Sequence, residues 1–415
     1  MKKMLAAAMA LMMCTVTGCS AEEAQTVSES EETTAQMSAN AETGTAYTAA
    51  ETKGYFNELF LKETLKNGGN FVISPLSAKL ALNMAAAGAE EGSATEKELL
   101  DLFGYETAAE MKEQSKAVID SFKAGEGIIE TNNSVWVSKK LGSLNKSYKS
   151  DLENYFGAES FREDLTSSRF VDKLNSWVNE GTNGLIPQIL SAPMDESTRL
   201  ALVNTLYFKN EWETIFPSYD TYNADFFGTN GTTSVPTMHN AYDMDYRKGK
   251  RLKSVILPYT DGSEMRIFLP VDDTVNIGDV ISEMSAEELS AELGGKYTET
   301  LVDLAMPSFE CEYEGSLTEM LKRLGASTAF DPSAASFGNM ADTNGEPLYI
   351  SDVLQGAKII CDEDGTEAAA FTLVETDSEE VTPAYAVKFT VDRPFVYEIL
   401  SPNGEVLFMG YMGNL

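Results

Sequence analysis

Segments with helical spacing crowd the first half of the chain, segments with strand character crowd the second, and no strand–helix–strand rhythm links them. GYFNELFLKETLKN places Tyr55, Phe56, Leu59, Phe60 and Leu65 at helical spacing. Asn70 to Ile73 reads as a short strand, after which Ser74 as N-cap and Pro75 in the first turn open a helix. Ser93 and Glu96 have the spacing of a capping box, and residues 107–124 are helical again. Residues 168–180 form an amphipathic helix with Phe170, Leu174, Trp177 and Val178 on one side. LALVNTLYF, residues 200–208, is nearly all apolar, as a central strand buried on both faces requires. RLKSVILPY, EMRIFLPV, LVDLAMPSF, AKIIC, AVKFTV, FVYEIL and VLFMGYM then follow as strands. This segregation specifies an α+β fold with large, mostly antiparallel sheets. With 415 residues, 43% of them hydrophobic, no internal repeat and no linker after residue 53, one large domain over 53–415 is expected.

The N-terminus reads differently. MKKMLAAAMALMMCTVTGC begins with two lysines, and its apolar run, Leu5 to Met13, is too short to span a bilayer stably. Val16-Thr17-Gly18-Cys19 resembles the lipobox of bacterial lipoproteins, so residues 1–18 are expected to be a signal peptide and Cys19 the lipidated residue. Cys14 follows bulky Met13 and fits that role less well. Residues 19–52 are rich in Ala, Ser, Thr and Glu, with no lysine before Lys53, and are expected to form a disordered acidic tether. The expected location is therefore outside the cytoplasm, at a bacterial cell surface or envelope.

The formal charge of −34 makes nucleic acid and heparin-like polyanions poor partners and favours basic ones. Cys311 and Cys361 are too few for a disulfide scaffold or a zinc site, and either two buried thiols or one bridge fits the sequence. His239 is the only histidine, so a Ser-His-Asp hydrolase or a multi-histidine metal centre would have to be built around one ring. A packed or surface histidine is expected, with no catalytic residue, metal or cofactor.

Three stretches, in order, carry a family resemblance. They are Asn70-Phe71-Val72-Ile73-Ser74-Pro75-Leu76-Ser77, the run Val203 to Trp212 (VNTLYFKNEW), and Asp392-Arg393-Pro394-Phe395-Val396-Tyr397 with Val406 to Gly410. Together they resemble the serpin family from about Tyr55 to Leu415. The resemblance implies three mostly antiparallel β-sheets, eight or nine helices and an exposed reactive loop at about residues 363–385. It also implies a monomer that is not an enzyme but a covalent, single-use protease inhibitor. Its loop, once cleaved and acylated, inserts into the main sheet and drags the protease with it. A shutter where the sheet opens would involve Ser74, Ser77 and Asn204, with Gln355 where many members carry histidine. Trp212 and Glu363 would lie near the top of that sheet.

The residues DEDGTEAAAFTLV (362–374) have the physics such a loop needs. Glu363, Gly365, Thr366, Glu367, Ala368, Ala369 and Ala370 form the expected hinge, with Gly365 as the point where the chain turns. Thr366, Ala368, Ala370, Thr372 and Val374 share one strand face, all small or β-branched and uncharged. Glu367, Ala369, Phe371, Leu373 and Glu375 take the other, partly solvated face. A charge on the first face would cost on the order of several kcal/mol on burial. Non-inhibitory serpins usually break this pattern with bulky, charged or proline residues.

In the family the cleaved bond lies about fourteen residues past the hinge glycine, which implies Glu379–Glu380 here. Fully extended, that length spans about 46–50 Å. Asp377, Val381 and Thr382 are the alternatives. The expected partner is a cationic elastase- or chymotrypsin-like protease, drawn in by Glu375, Asp377, Glu379 and Glu380. A Glu- or Asp-specific or cysteine protease is the second choice, and a non-inhibitory surface binding or adhesion module is the competing class.

Overall fold

The computed structural model describes residues 46–124, 128–366 and 386–415. The N-terminal half supplies helices α1 (Ala49–Thr52), α2 (Phe56–Leu65), α3 (Pro75–Gly88), α4 (Ala94–Phe103), α5 (Ala108–Ser121), α6 (Lys146–Phe156) and α7 (Ser168–Gly181). Between and after these come strands β1 (Phe71–Ile73), β2 (Ile128–Ser138), β3 (Glu159–Glu163) and β4 (Leu200–Glu211). The second half is mostly strand: β5 (Tyr222–Gly228), β6 (Gly231–Lys248), β7 (Leu252–Pro258), β8 (Glu264–Pro270), β9 (Thr298–Pro307) and β10 (Phe309–Ser316). It ends with β11 (Asp352–Cys361), β12 (Gly365–Thr366), β13 (Val387–Thr390), β14 (Phe395–Leu400) and β15 (Val406–Met412). Three short helices, α8 (Ile277–Glu283), α9 (Ala286–Leu293) and α10 (Thr318–Arg323), interrupt these strands.

The strands form two sheets among the described residues, where three were expected. One runs β1-β15-β14-β8-β7-β6-β9-β13, with β5 also on β6; the other runs β10-β11-β12-β4-β2-β3. The reason is β6. Its first part pairs with β5, its middle with β9 and its last three residues with β7, so one 18-residue strand fuses two sheets into a continuous path. Ten α-helices are present among the described residues instead of eight or nine. The short turns account for the difference, because four to six residues carry no readable period. The turn α1 depends on a local cap: Thr48 and Glu51 exchange side-chain and backbone hydrogen bonds.

The packed body also begins before residue 53. Tyr47 N–H donates to the Arg323 carbonyl at 2.7 Å, and the Thr52 hydroxyl, fully buried, donates to the Leu324 carbonyl at 2.6 Å. Residues 46–52 are thus part of the fold, not the tether. The signal peptide, Cys19 and residues 19–45 lie outside the described residues.

Local chemistry explains the elements around the main sheet. The Ser74 hydroxyl accepts the Ser77 N–H at 3.1 Å, capping α3 behind Pro75. Ser93 caps α4 in the same way, but Glu96 reaches back to Gly92 N–H and not to its cap residue, so the box is open. In β4, Leu200, Leu202, Leu206 and Phe208 enter the large core between the layers. The alternate residues Ala201 and Val203 join a second cluster under α7 with Phe170, Leu174 and Ile186. Burial on both faces is why this strand reads as an apolar run.

Candidate reactive-loop insertion site

β4 and β11 are parallel neighbours only over their lower halves, where Asp352–Gly356 align with Ala201–Thr205. At their upper ends the two-residue strand β12 stands between them. Gly365 and Thr366 pair antiparallel with Glu211 and Asn210 of β4, and Thr366 pairs with Cys361 of β11. The flanking strands keep one alignment throughout: Cys361 and Asn210 stand 151 positions apart, as do Asp352 and Ala201. A strand extended downward from Thr366 would therefore meet both neighbours without slipping register.

The turn into β12 is held on every side. Asp362 accepts the N–H groups of Asp364 (3.0 Å) and Gly365 (3.2 Å) on its carboxylate. Burial raises the pKa of that carboxyl, helped by the nearby Asp364 and Glu363. The Asp364 and Glu363 carbonyls accept the N–H groups of Trp212 (2.9 Å) and Phe216 (3.0 Å). The Trp212 indole N–H donates to the Asp362 carbonyl at 2.9 Å. Gly365 is required by close approach: a Cβ there would lie 2.1 Å from the Asn210 carbonyl oxygen.

Thr366 is fully buried, with its hydroxyl 2.5 Å from the Tyr259 hydroxyl. Tyr259 stacks on Trp212 (centroids 4.4 Å apart, 15° between planes) and meets Phe208 edge-on at 5.0 Å. Burial lifts the Tyr259 phenol well above its ordinary pKa, so it is a neutral partner. Nothing local in the sequence marks Tyr259 as a site residue. Its only signal is an aromatic following Pro258 at the end of a strand.

Farther down, Gln355 and Ser74 form a two-way bond. The Ser74 N–H donates to Gln355 Oε1 (2.9 Å), and Gln355 Nε2 donates to the Ser74 carbonyl (2.8 Å). Ser77 joins through the Ser74 cap. Asn204 lies level with Gln355 in the ladder, yet its amide donates to Asn133 of β2, which the sequence reading did not single out. Asn133 in turn donates to the Phe156 carbonyl at 2.9 Å. The buried Asn204 Oδ1 has no hydrogen-bond partner among the described residues. Below the paired ladder, the base is tied by Arg199 N–H to the Ser351 hydroxyl (2.8 Å), Arg199 to Glu346 (3.0 Å) and the Tyr349 hydroxyl to the Ser197 carbonyl (2.8 Å).

Glu367, Ala368, Ala369 and Ala370 of the hinge lie outside the described residues, as do Asp377, Glu379, Glu380, Val381 and Thr382. Cys311 and Cys361 are free, buried thiols on β10 and β11, and burial pushes Cys311 up to about 12. They sit diagonally across the ladder, since Cys311 faces Ile359 and Cys361 faces Phe309. Diagonal positions lie about 7–8 Å apart, beyond ordinary disulfide reach. His239 is half-buried, stacked on Tyr222 with centroids 4.1 Å apart, and its Nδ1 lies 3.0 Å from the Asp220 carbonyl. Among the described residues no group of three or more His, Cys, Asp or Glu could hold a metal ion.

Comparison with known proteins agrees with this architecture. Residues 55–415 match the family model described as "Serpin (serine protease inhibitor)". Serpin-Z10 of Arabidopsis thaliana is 31% identical over 370 residues, which cover 84% of this chain and 92% of that protein. Plasminogen activator inhibitor 1 of Neovison vison is 34% identical over 256 residues, or 60% of this chain and 62% of that one. The native-state crystal structure of tengpin, a thermophilic serpin, superposes with a TM-score of 0.80 at 26% identity, covering 88% of this chain and 94% of tengpin. A match along nearly all of the packed body, on a fold with these sheets and this seam, places the chain in the serpin family.

Proposed function

We propose that this serpin is an inhibitory one, which traps a serine-type protease covalently by inserting its cleaved reactive loop between β4 and β11. The observation that carries the reading is β12, which already occupies the first two positions of that insertion. Thr366, first on the small uncharged face, is fully buried there. The family description and the name of plasminogen activator inhibitor 1 point the same way.

The target we propose is a cationic extracellular protease of elastase or chymotrypsin type, cleaving at Glu379–Glu380 or within about two residues of it. The chain would act as a monomer, exported and held at the cell envelope by a lipid on Cys19. The acidic loop and the net charge of −34 favour encounter with a cationic enzyme. The experiment is incubation with pancreatic elastase, chymotrypsin and a Glu-specific endopeptidase, followed by a denaturing gel. A band at the summed mass, resistant to boiling, is expected with at least one enzyme. Clean loop cleavage by all three, with no such band, would leave the binding-module reading in place. Mass spectrometry of the released C-terminal peptide identifies the bond.

A further inference from the structure

Alternate residues of β4 and β11 face the apolar cluster beneath α7, Ala201 and Val203 from one strand and Leu354 from the other. Gly356 is the next residue of that row on β11, and it carries no side chain. A Cβ there would stand 3.0 Å from Ile186 Cδ1 and 3.6 Å from Ile189 Cδ1, so two methyl groups rest on its bare backbone. Its partner across the ladder is Thr205, whose buried hydroxyl has no hydrogen-bond partner among the described residues. We propose that Gly356 is a positioning residue for loop insertion: with Thr205 it leaves the recess that receives the side chain of Phe371. The proposal deepens the inhibitor reading above and rests on it.

Register argues for the occupant. Thr366 pairs with Asn210 and Cys361, and a strand continued from it keeps that alignment on both sides. Ala369, Phe371 and Leu373 lie outside the described residues, and the register of β12 assigns their levels. Ala369 would come between Tyr207 and Lys358, Phe371 between Thr205 and Gly356, and Leu373 between Val203 and Leu354. The smallest residue on this face of the loop thus meets the largest pair of receivers, and the largest meets the smallest pair. An aromatic ring laid over a cross-strand glycine covers its backbone and packs against the neighbouring side chains. The face that the sequence led us to expect partly solvated is therefore covered at these two levels, by Ile186, Ile189 and the cluster beneath α7. A side chain at position 356 would compete with the phenyl ring for one space.

The test uses the full chain, with whichever protease gives the covalent band and with the Glu-specific endopeptidase to cut the loop. Gly356→Leu should raise the number of inhibitor molecules consumed per trapped protease about tenfold, as overfilling a packed site does. It should also shrink the rise in melting temperature on loop cleavage. Adding Phe371→Ala should restore both, because the shorter loop residue vacates the contested space. Phe371→Ala alone should still trap the protease, with a smaller rise in melting temperature on cleavage. If Gly356→Leu does not fold, Gly356→Ala should show the same two changes, weaker and rescued in the same way, since the Ile186 methyl must already give way to a Cβ. A loss of trapping that Phe371→Ala does not repair would overturn the pairing, as would wild-type behaviour from the glycine variants; either leaves the inhibitor reading intact. A wild-type chain that neither traps a protease nor gains stability on cleavage would overturn both.

Discussion

The Thr366 hydroxyl lies 2.5 Å from the Tyr259 hydroxyl, both residues are buried, and the Tyr259 ring stacks on Trp212. The contact joins Thr366, the second residue of β12, to Tyr259, which immediately follows β7 of the nine-stranded sheet. Its consequence is that position 366 accepts only a small, uncharged side chain.

Thr366→Arg would place a guanidinium in that pocket at a cost of several kcal/mol, on the order expected for an unpaired buried charge. The variant should be cleaved as a substrate and form no covalent band. Thr366→Val, close in volume, should keep most of the inhibition. Both outcomes are read on the same denaturing gel, and persistent trapping by the arginine variant would refute the face assignment.

Cleavage of the loop should raise the melting temperature by about 10 °C or more, since an inserted strand adds roughly ten net hydrogen bonds worth about 1 kcal/mol each. Continuing the register of Thr366 against Asn210 brings Thr372 between Asn204 and Gln355. Thr372 lies outside the described residues, but its hydroxyl would there meet the unpaired Asn204 Oδ1. Thr372→Val should therefore lower the stability of the cleaved form by about 1 kcal/mol and leave the uncleaved form unaffected. Thermal melts of both forms, before and after proteolysis, decide this.

Glu398 on β14 is fully enclosed, and burial raises its carboxyl to about 7 from an ordinary 4.5; Arg266 opposes the shift, while Glu58 and Glu264 add to it. A carboxyl with a raised folded-state pKa binds its proton more tightly in the native state than in the unfolded one. Its contribution to stability is then greatest below about pH 4.5 and is lost as pH rises toward 7. Denaturant melts between pH 5 and 8 should show this decline, and Glu398→Gln should flatten it. A variant with the wild-type slope would assign the slope to other groups.

The two thiols should not react with a thiol reagent until the chain unfolds, because both are buried and their pKa values are raised by burial. Two equivalents released in denaturant and none in native buffer is the expected titration of the folded part.

Much of the fold was legible because its signals are local. The apolar run of β4, the Ser74-Pro75 helix start and the amphipathic face of α7 each follow from neighbours within a few residues. What escaped was set at long range. Asn133 becomes the partner of Asn204 only through the β2–β4 register, and Tyr259 meets Thr366 across 107 positions. The fusion of two sheets depended on β6 staying extended through Pro236 and His239, so that β5, β9 and β7 pair with it in turn along its length. Gly365 stands where the chain turns into β12, and its smallness also serves the carbonyl of Asn210 pressed against it, a contact set by the long-range register.

The ties across the base of the seam set a stroke length. Carried down the same register, the residue that draws level with Arg199, which is tied to the Ser351 hydroxyl, is Asp377. Under the inhibitory reading proposed above, a loop that inserts until these ties hold would come to rest two positions short of Glu379. A protease esterified to Glu379 would be hauled to the floor of the molecule and jammed there.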